Sequence, residues 1–260
     1  MTDVLVGVTL PQFTDDRARF ADGAQRAEAL GFDSIWLFDH LWPLSGNKDR
    51  PILEAWTSLA WIAEATERVA IGTLVTRSSL RNPALLVHMA KTVAAIAPRR
   101  LIIGIGSGDH MSRAENEAFG IPYWAGADRL AQFEEVLALL RTELAASGVQ
   151  LWVAGRSDDA LDLAARYGDA WNGWGGNPDS FARDATTVVS YAGERPVELT
   201  WGGVMKEQTP EAAAEELSGF VRAGARHLVC TYARAWRSGV YETLAEEIRP
   251  RIHRDQRSVS

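Results

Sequence analysis

Short runs rich in β-branched and other apolar residues alternate along this chain with longer stretches of helical character. The apolar runs predict eight strands, and each strand is followed by a predicted helix. The strands are predicted at residues 4–10, 34–38, 69–75, 101–105, 150–153, 169–174, 197–201 (or on to 205) and 227–230. The helices are predicted at residues 15–30, 51–65, 83–97, 128–146, 158–167, from 178 onwards, 210–223 and 240–252.

Three of the predicted helices begin at a polar residue followed by proline, namely Asn82-Pro83, Asn177-Pro178 and Thr209-Pro210. Asparagine and threonine cap free backbone N–H groups, and proline fits the first helical position because it has no N–H to satisfy. These dipeptides therefore predict where the third, sixth and seventh helices begin.

Strict alternation of strands with crossover helices predicts a parallel sheet. Eight such repeats within 260 residues match a single (β/α)8 barrel, the α/β fold known as the TIM barrel. An open, doubly wound sheet is the alternative. No linker-like run divides the sequence, so we expect one domain over residues 1–260. Residues 39–50 and 107–125 interrupt the repeat and are predicted as insertions at the carboxyl ends of the strands.

The composition narrows the class of protein. Apolar residues make up 47% and charged residues 23% of the chain, which is ordinary for a globular protein. The net charge of -7 argues against binding to nucleic acid or to an anionic membrane. We see neither a secretory signal nor an apolar run of about 18 residues, so we expect a cytoplasmic protein. The single cysteine, Cys230, excludes an intrachain disulfide and a multi-cysteine zinc site.

A candidate acid–base group follows the second strand, at the end of the barrel where active sites of this fold lie. Asp39 and His40 come directly after an apolar run. Histidine exchanges protons near neutral pH, and Asp39 is placed to bond a ligand hydroxyl or to support the turn. His110, in the second insertion, is a further candidate. His227 begins a strand and so falls at the opposite end of the barrel.

A glycine-rich segment from Gly104 to Asp109 ends the fourth strand. Its spacing fails the dinucleotide fingerprint G-x-G-x-x-G, because Asp109 stands where the third glycine belongs. We interpret the segment as backbone left bare for a ring or a phosphate, with structural turns as the alternative.

A possible anion site follows the fifth strand at Gly155, Arg156 and Ser157. Ser157 can cap the next helix, whose free N–H groups can hold an anion. The acidic residues 158 and 159 oppose this interpretation, since they satisfy the helix dipole themselves. Arg77 and Arg81 supply further positive charge on the same face.

Tryptophan is frequent, with 10 residues. Those that fall at or near the predicted rim are Trp36, Trp42, Trp124, Trp152, Trp174 and Trp201. Such a cluster is typical of a pocket for a large planar ligand, and packing within the barrel is the alternative. Trp56 and Trp61 lie on the second predicted helix, where they serve either as an interface or to pack that helix on the barrel.

Several common chemistries lack their motifs in this sequence. The patterns H-x-H, H-E-x-x-H and G-x-S-x-G do not occur, so no metal site and no serine hydrolase is predicted. A Schiff-base enzyme needs a lysine at a strand end, and only Lys206 qualifies. Cys230 ends the eighth strand and is predicted as a small core residue.

Taken in order, the motifs of the chain resemble those of the luciferase-like flavin and deazaflavin oxidoreductases, the bacterial luciferase superfamily. The resemblance covers nearly the whole chain and is strongest over residues 69–129. It is carried by Gly72-Thr73-Leu74-Val75-Thr76, Arg81-Asn82-Pro83-Ala84, Pro98-Arg99-Arg100-Leu101, Gly104-Ile105-Gly106-Ser107-Gly108-Asp109, Phe38-Asp39-His40 and Tyr167-Gly168-Asp169-Ala170-Trp171-Asn172. The family fold is a (β/α)8 barrel with insertions, in agreement with the strand count.

The Asp39-His40 pair and the acidic Asp109 are most similar to the branch that uses coenzyme F420, an 8-hydroxy-5-deazaflavin with an acidic tail. The resemblance implies hydride transfer to or from a small organic substrate, with His40 as acid or base and Asp39 against the ring or its hydroxyl. It also implies a cis peptide at Leu74-Val75 behind the ring. The remaining implied contacts are Thr76, Ser107, Gly108 and Asp109 with the ring and ribityl chain, and Gly155, Arg156 and Ser157 with the tail phosphate.

The closest alternative is an FMN-dependent monooxygenase of the same superfamily. A second alternative is a barrel that binds a flavin-like ligand without catalysis. Members of the family are often dimers, so a homodimer is an expectation of the resemblance. The identity of the substrate is not predicted, because pocket-lining insertions vary independently of the ring site.

Overall fold

In a computed structural model, which describes residues 4–43, 47–233 and 239–252, eight parallel strands close into a barrel. Each strand pairs with its neighbours in chain order, and the eighth pairs with the first. The strands are β1 (Leu5–Thr9), β2 (Ser34–Leu37), β3 (Ala70–Arg77), β4 (Leu101–Gly106), β5 (Gln150–Ala154), β6 (Ala170–Trp174), β7 (Glu198–Val204) and β8 (His227–Thr231). The predicted (β/α)8 barrel is confirmed, and the open sheet is excluded.

Helices cover the outside of the barrel. They are α1 (Arg17–Ala29), α2 (Ala55–Ala65), α3 (Pro83–Ile96), α4 (Ser112–Ala118), α5 (Gly126–Leu144), α6 (Asp158–Tyr167), α7 (Pro178–Ala192), α8 (Pro210–Arg222) and α9 (Val240–Glu242), which continues into a π-helical segment at Thr243–Ile248. The side chains of Asn82, Asn177 and Thr209 cap α3, α7 and α8, each with proline as the next residue. The three predicted helix starts are therefore confirmed.

Some boundaries differ from the prediction. β3 continues to Arg77, so that its last residues reach the rim of the barrel. α2 begins at Ala55 instead of 51, because the Glu54 carboxylate caps it by accepting from the N–H groups of Trp56 and Thr57. The second insertion contains a helix, α4, that was not predicted. Residues 44–46 of the first insertion lie outside the described residues.

Two of the tryptophans predicted at the rim instead fill the middle of the barrel. Trp36 and Trp152 are buried with their ring centroids 4.6 Å apart. The Trp36 indole N–H donates to Ser34 Oγ, two residues earlier in β2, at 2.6 Å. That bond tilts the ring toward the start of the strand. The prediction that Trp36 and Trp152 line the rim is therefore wrong, and both close the floor beneath it.

Other tryptophans pack the helices onto the barrel. Trp201 is buried against Phe220 of α8, with the two rings stacked 4.3 Å apart, so its predicted place at the rim is also wrong. Trp56 is buried in α2, and half-buried Trp61 contacts the Phe20 ring at 5.4 Å. For these two, packing of the helix is the interpretation that the structure favours.

The core agrees with the prediction for the single cysteine. Cys230 is fully buried among apolar residues, and burial raises the pKa of its thiol to about 12. Across the described ranges, every helix is too short or too polar to cross a membrane.

Candidate active site

His40 lies in the loop that follows β2, at the carboxyl end of the barrel. Its side chain is 25% exposed, and its Nδ1 is 3.0 Å from Oε2 of Glu115 on α4. An ionised carboxylate accepts only, so Nδ1 carries the ring proton and donates it. Nε2 makes no hydrogen bond to the described residues and is the nitrogen available to a ligand.

Glu115 holds the whole segment that carries His40. Its Oε1 accepts from the backbone N–H groups of Leu41 and Trp42, the latter at 3.0 Å. Its Oε2 also lies 3.1 Å from the Arg77 guanidinium. Burial acts to raise the pKa of Glu115, but the bonds from His40 and Leu41 and the charge of Arg77 outweigh it, so the pKa is lowered. Glu115 is therefore ionised at neutral pH.

Asp39 is held by the chain itself. It is 1% exposed, and Arg81 donates to both of its carboxylate oxygens, at 2.6 and 2.8 Å. Arg81 also donates to Glu54, the residue that caps α2. Burial raises the pKa of Asp39, while the hydrogen bonds and charge of Arg81 oppose that shift. The Asp39–Arg81 pair therefore anchors Asp39, the residue next to His40, to α2. A contact between Asp39 and a cofactor ring stays a prediction.

The end of β3 forms the neighbouring wall. The peptide bond between Leu74 and Val75 is cis, as expected, and the pairing register of β3 with β4 shifts between Thr73 and Thr76. Leu74 is buried in the barrel, whereas Val75 is partly exposed. A Cβ placed on Gly106 would lie 3.1 Å from Val75 Cγ2, so Val75 covers this glycine of β4.

Thr76 faces away from that wall. Its side chain is fully buried; its hydroxyl accepts from the Trp56 indole N–H at 3.1 Å and donates to Thr73 Oγ1 at 2.9 Å. Thr73 in turn donates to the Gly104 carbonyl. The Thr76 hydroxyl is thus used within the protein, and it supports the rim from behind.

The predicted contacts at residues 107–109 lie close to the His40 site. Ser107 and Gly108 are partly buried, and Gly108 has a φ of 73°, which favours glycine. Asp109 is exposed, and its carboxylate accepts from the N–H groups of Met111 and Ser112 at the start of α4. Arg77 interacts electrostatically with Asp39, Asp109 and Glu115 together. The structure therefore brings the His40 and Asp109 segments to one rim.

The third predicted segment lies at the end of β5. Ser157 caps α6 by accepting from the Ala160 N–H, and Arg156 is 2.6 Å from Asp184. Gly155 has a φ of 145°, and a Cβ there would lie 2.5 Å from Ala160 Cβ, so only glycine allows the loop to press onto the helix start. This segment therefore brings together the guanidinium of Arg156, the hydroxyl of Ser157 and the N-terminus of the ten-residue helix α6.

The other side of the rim is apolar. Trp174, at the end of β6, is 39% exposed and contacts Phe38 edge-on, with ring centroids 6.0 Å apart. Trp42 contacts Phe119 at 5.8 Å, and Trp124 is exposed. Of the six tryptophans placed at the rim from sequence, these three have positions consistent with that prediction.

Several residues of this site were missed from the sequence. Glu54 and Glu115 were not singled out, although together they hold Arg81, Arg77 and His40. The only local signal at Glu115 is the spacing Ser112-x-x-Glu115, which is the pattern of a helix capping box. That pattern would assign Glu115 to its own helix, and the carboxylate instead reaches residues about 75 positions earlier.

Known proteins give the site its context. An F420-dependent glucose-6-phosphate dehydrogenase of Beutenbergia cavernae is 26% identical, over an alignment covering 90% of this chain and 93% of that protein. The enzyme of the same name from Intrasporangium calvum is 37% identical over 46% of this chain and 36% of its own length. Among solved structures, an F420-dependent secondary alcohol dehydrogenase superposes with a TM-score of 0.79 at 18% identity, over 96% of this chain and 99% of that one.

At that identity the structural likeness establishes the fold. The family itself is established by a sequence model of luciferase-like monooxygenases, which matches residues 3–258. The match spans all eight strands and each of the three rim segments described above. This chain belongs to the luciferase-like monooxygenase family.

Proposed function

We propose that this chain is an F420-dependent oxidoreductase that transfers a hydride between the cofactor and a small organic substrate, with His40 exchanging the accompanying proton. The F420-dependent enzymes among its relatives support the choice of cofactor. The observation that carries the site is the bond from His40 Nδ1 to the ionised Glu115, which leaves Nε2 at the rim without a partner in the described part of the chain.

The residues present fit a deazaflavin with an acidic tail. Asn172, on β6, has a buried side-chain oxygen without a partner in the described part of the chain. This oxygen is suited to accept from the imide N–H of a ring. Arg156, Ser157 and the start of α6 suit a phosphate. The residues that would hold the cofactor are Asp39, Leu74, Val75, Ser107, Gly108, Asp109, Gly155, Arg156 and Ser157, and Thr76 would support them from behind the rim. When bound, F420 supplies a ring carbon that gives or accepts a hydride.

The chain itself supplies position and proton transfer. Glu115 fixes the tautomer and the orientation of His40, so that Nε2 gives a proton to the substrate oxygen or takes one from it. Arg77 balances the charge of Glu115, and the Asp39–Arg81 pair keeps the preceding residue in place. Acid–base residues held in this way contribute about 10²–10⁴-fold to a rate.

Three broader expectations belong to the same proposal. We propose that the chain acts as a single domain over residues 1–260, in the cytoplasm, and as a homodimer. Support for the single domain comes from strands of one barrel that run from Leu5 to Thr231. Support for the dimer is the family resemblance, and sedimentation equilibrium of the purified protein tests it.

Parallel titrations of the purified protein with F420 and with FMN, followed by fluorescence, test the cofactor. We expect F420 to bind with a Kd of about 1 µM or tighter and FMN to bind more weakly. Tighter FMN binding with oxidase activity would instead indicate the monooxygenase, and binding of neither would indicate a barrel without this function.

The role of His40 has its own test. His40→Ala should keep F420 affinity and lose turnover by about 10²-fold or more. His88 is exposed on α3, so His88→Ala is the matched control and should change neither F420 affinity nor turnover. Retained turnover in His40→Ala would remove His40 from the mechanism.

A further inference from the structure

A cavity opens on the apolar side of the rim, over β1, β2 and β6–β8. Its volume is about 420 Å³, enough for a small organic molecule. Aromatic and aliphatic side chains make up most of its wall, among them Phe13, Phe38, Trp174 and Val204. Phe13 and Phe38 stack nearly parallel, with an interplanar angle of 10°. A flat or branched apolar body therefore fits this space better than a sugar does.

One polar group that lines this cavity has no hydrogen-bond partner among the described residues. Thr231, at the end of β8, is only 7% exposed and lines the cavity. Its Oγ1 makes no hydrogen bond within the described part of the chain. A buried hydroxyl without a partner is costly, so this atom is suited to a ligand oxygen.

Two arginines complete the lining. Arg19 and Arg50 are exposed, and the described residues that line the cavity include no carboxylate. Arg19 has a long ion pair with Asp16 at 3.6 Å, and Arg50 donates to the Phe13 carbonyl at 3.4 Å. Both guanidinium groups therefore keep donors for an anion at the solvent end of the cavity.

The cavity adjoins the proposed cofactor site. A Cβ placed on Gly202 of β7 would lie 3.0 Å from Trp174 Cε3 and 3.1 Å from Leu74 Cδ2. Trp174, which lines the cavity, and Leu74, at the cis peptide, therefore both pack against Gly202. Phe38, the residue before Asp39-His40, lines the cavity as well. A molecule in the cavity therefore lies beside both the cofactor segment and the acid–base segment.

We infer that this cavity binds the substrate, and that the substrate is a ketone or secondary alcohol with an apolar body and a carboxylate at its far end. Thr231 donates to the ketone oxygen or pairs with the alcohol, the aromatic wall holds the body, and Arg19 and Arg50 bind the carboxylate. This inference rests on the proposed function, since it names the substrate class for the same reaction.

Three matched probes test the inference on the protein without cofactor, by isothermal titration calorimetry. They are 4-oxo-4-phenylbutanoate, its methyl ester, which lacks the charge, and 4-phenylbutanoate, which lacks the ketone. We expect the keto acid to bind with a millimolar Kd or tighter, as a ligand of this size reaches. Each of the other two should bind about fivefold more weakly.

Variants assign the contacts. Thr231→Val should weaken the keto acid about fivefold and leave 4-phenylbutanoate unchanged. Arg50→Gln and Arg19→Gln should each weaken the acids about threefold and leave the ester unchanged. Thr142→Val and Arg222→Gln, on the outer surface of α5 and α8, are the matched controls and should bind every probe like the parent. Circular dichroism confirms that each variant is folded.

Each outcome bears on one proposal. Equal affinity for the three probes, no binding of the keto acid, or an unchanged affinity in Thr231→Val would overturn this inference. F420 binding measured in the same preparation separates the two failures. Protein that binds F420 but not the keto acid contradicts the substrate class alone, whereas protein that does not bind F420 contradicts the proposed function, whatever the probes do.

Discussion

Two histidines stand at opposite ends of the barrel. His227 begins β8 at the floor, where it is 2% exposed and its Nε2 is 2.7 Å from the Ser34 hydroxyl. The Trp152 ring packs against it edge-on at 4.9 Å. His40 lies at the mouth, is partly exposed and faces the carboxylate of Glu115.

The difference between the two is made by their partners. At the floor, burial among indole rings lowers the pKa of His227 to about 3, so that the ring stays neutral. At the mouth, the ionised carboxylate of Glu115 accepts a hydrogen bond from His40 Nδ1, and His40 Nε2 has no partner among the described residues. The same residue type is packed in the core at one end of the strands and, in the proposed function, exchanges a proton at the other.

The largest expected effect comes from breaking the ion pairs behind His40. Arg81→Leu leaves the Asp39 carboxylate buried without its hydrogen-bonded positive partner, and this should lower the free energy of unfolding by about 3–5 kcal/mol. Urea denaturation measures it. Arg222→Leu removes an exposed pair on α8 and should change stability by no more than about 1 kcal/mol. Similar losses in the two variants would show that the Asp39–Arg81 pair is not a structural anchor.

The next effect concerns the floor. The unfolded chain binds a proton at His227 below about pH 6.5, while the folded protein does so only near pH 3. Stability should therefore fall as pH drops through this window, by up to about 1.4 kcal/mol per pH unit from this residue. In His227→Gln, the slope of the unfolding free energy against pH should be smaller between pH 6 and 4. The difference should be about 1.4 kcal/mol per pH unit, which is the contribution of one proton.

His88→Gln is the control for that titration. His88 is exposed on α3, so its replacement should leave the slope as it is in the parent. An unchanged slope in His227→Gln would mean that the floor histidine takes up a proton in the folded protein, and the contrast with His40 would be lost.

A smaller effect is expected at the mouth. Glu115→Gln keeps the shape of the side chain but removes the charge that orients His40, so kcat should fall about tenfold to hundredfold, with F420 affinity unchanged. The pKa of Glu115 is lowered in the folded protein. Its contribution to stability is therefore present above its unfolded pKa of about 4.3 and is lost as pH falls through the lower folded value.

Glu117→Gln, on the same helix, is the matched control. Glu117 is exposed and pairs with Arg113, so this variant should keep parental kcat and the parental stability profile in acid. A Glu115→Gln enzyme with the parental kcat would contradict a positioning role for Glu115.

The fold was predictable because its signals are local. Alternating apolar runs and three cap–proline pairs lie within a few residues of the elements that they specify, and each predicted strand overlaps an observed one. The family resemblance is also confirmed. The cis peptide at Leu74-Val75 came from that resemblance and not from the residues alone.

The site was only partly predictable because its bonds are not local. His40 was chosen for its place after β2. The prediction that His227 lies at the opposite end of the barrel agrees with the structure. Glu115 could not be chosen in this way, since the segment that it holds, from His40 to Trp42, lies about 75 positions earlier. Trp36 and Trp152 were misplaced because position along a strand does not tell which way a large ring leans. The ten cofactor contacts stay a prediction.

The smallest expected effect distinguishes a residue behind the rim from one that touches the ring. Thr76 was predicted to hold the cofactor, yet its hydroxyl joins Trp56 to Thr73 inside the protein. If that is its main role, Thr76→Val should lower the free energy of unfolding by about 1 kcal/mol and leave the Kd for F420 within about twofold. Thr186→Val, an exposed hydroxyl on α7, should change neither. A tenfold weaker Kd without loss of stability would instead place Thr76 against the ring. The rim would then use the Thr76 hydroxyl to bind the cofactor, whereas the floor uses its buried polar groups only for packing.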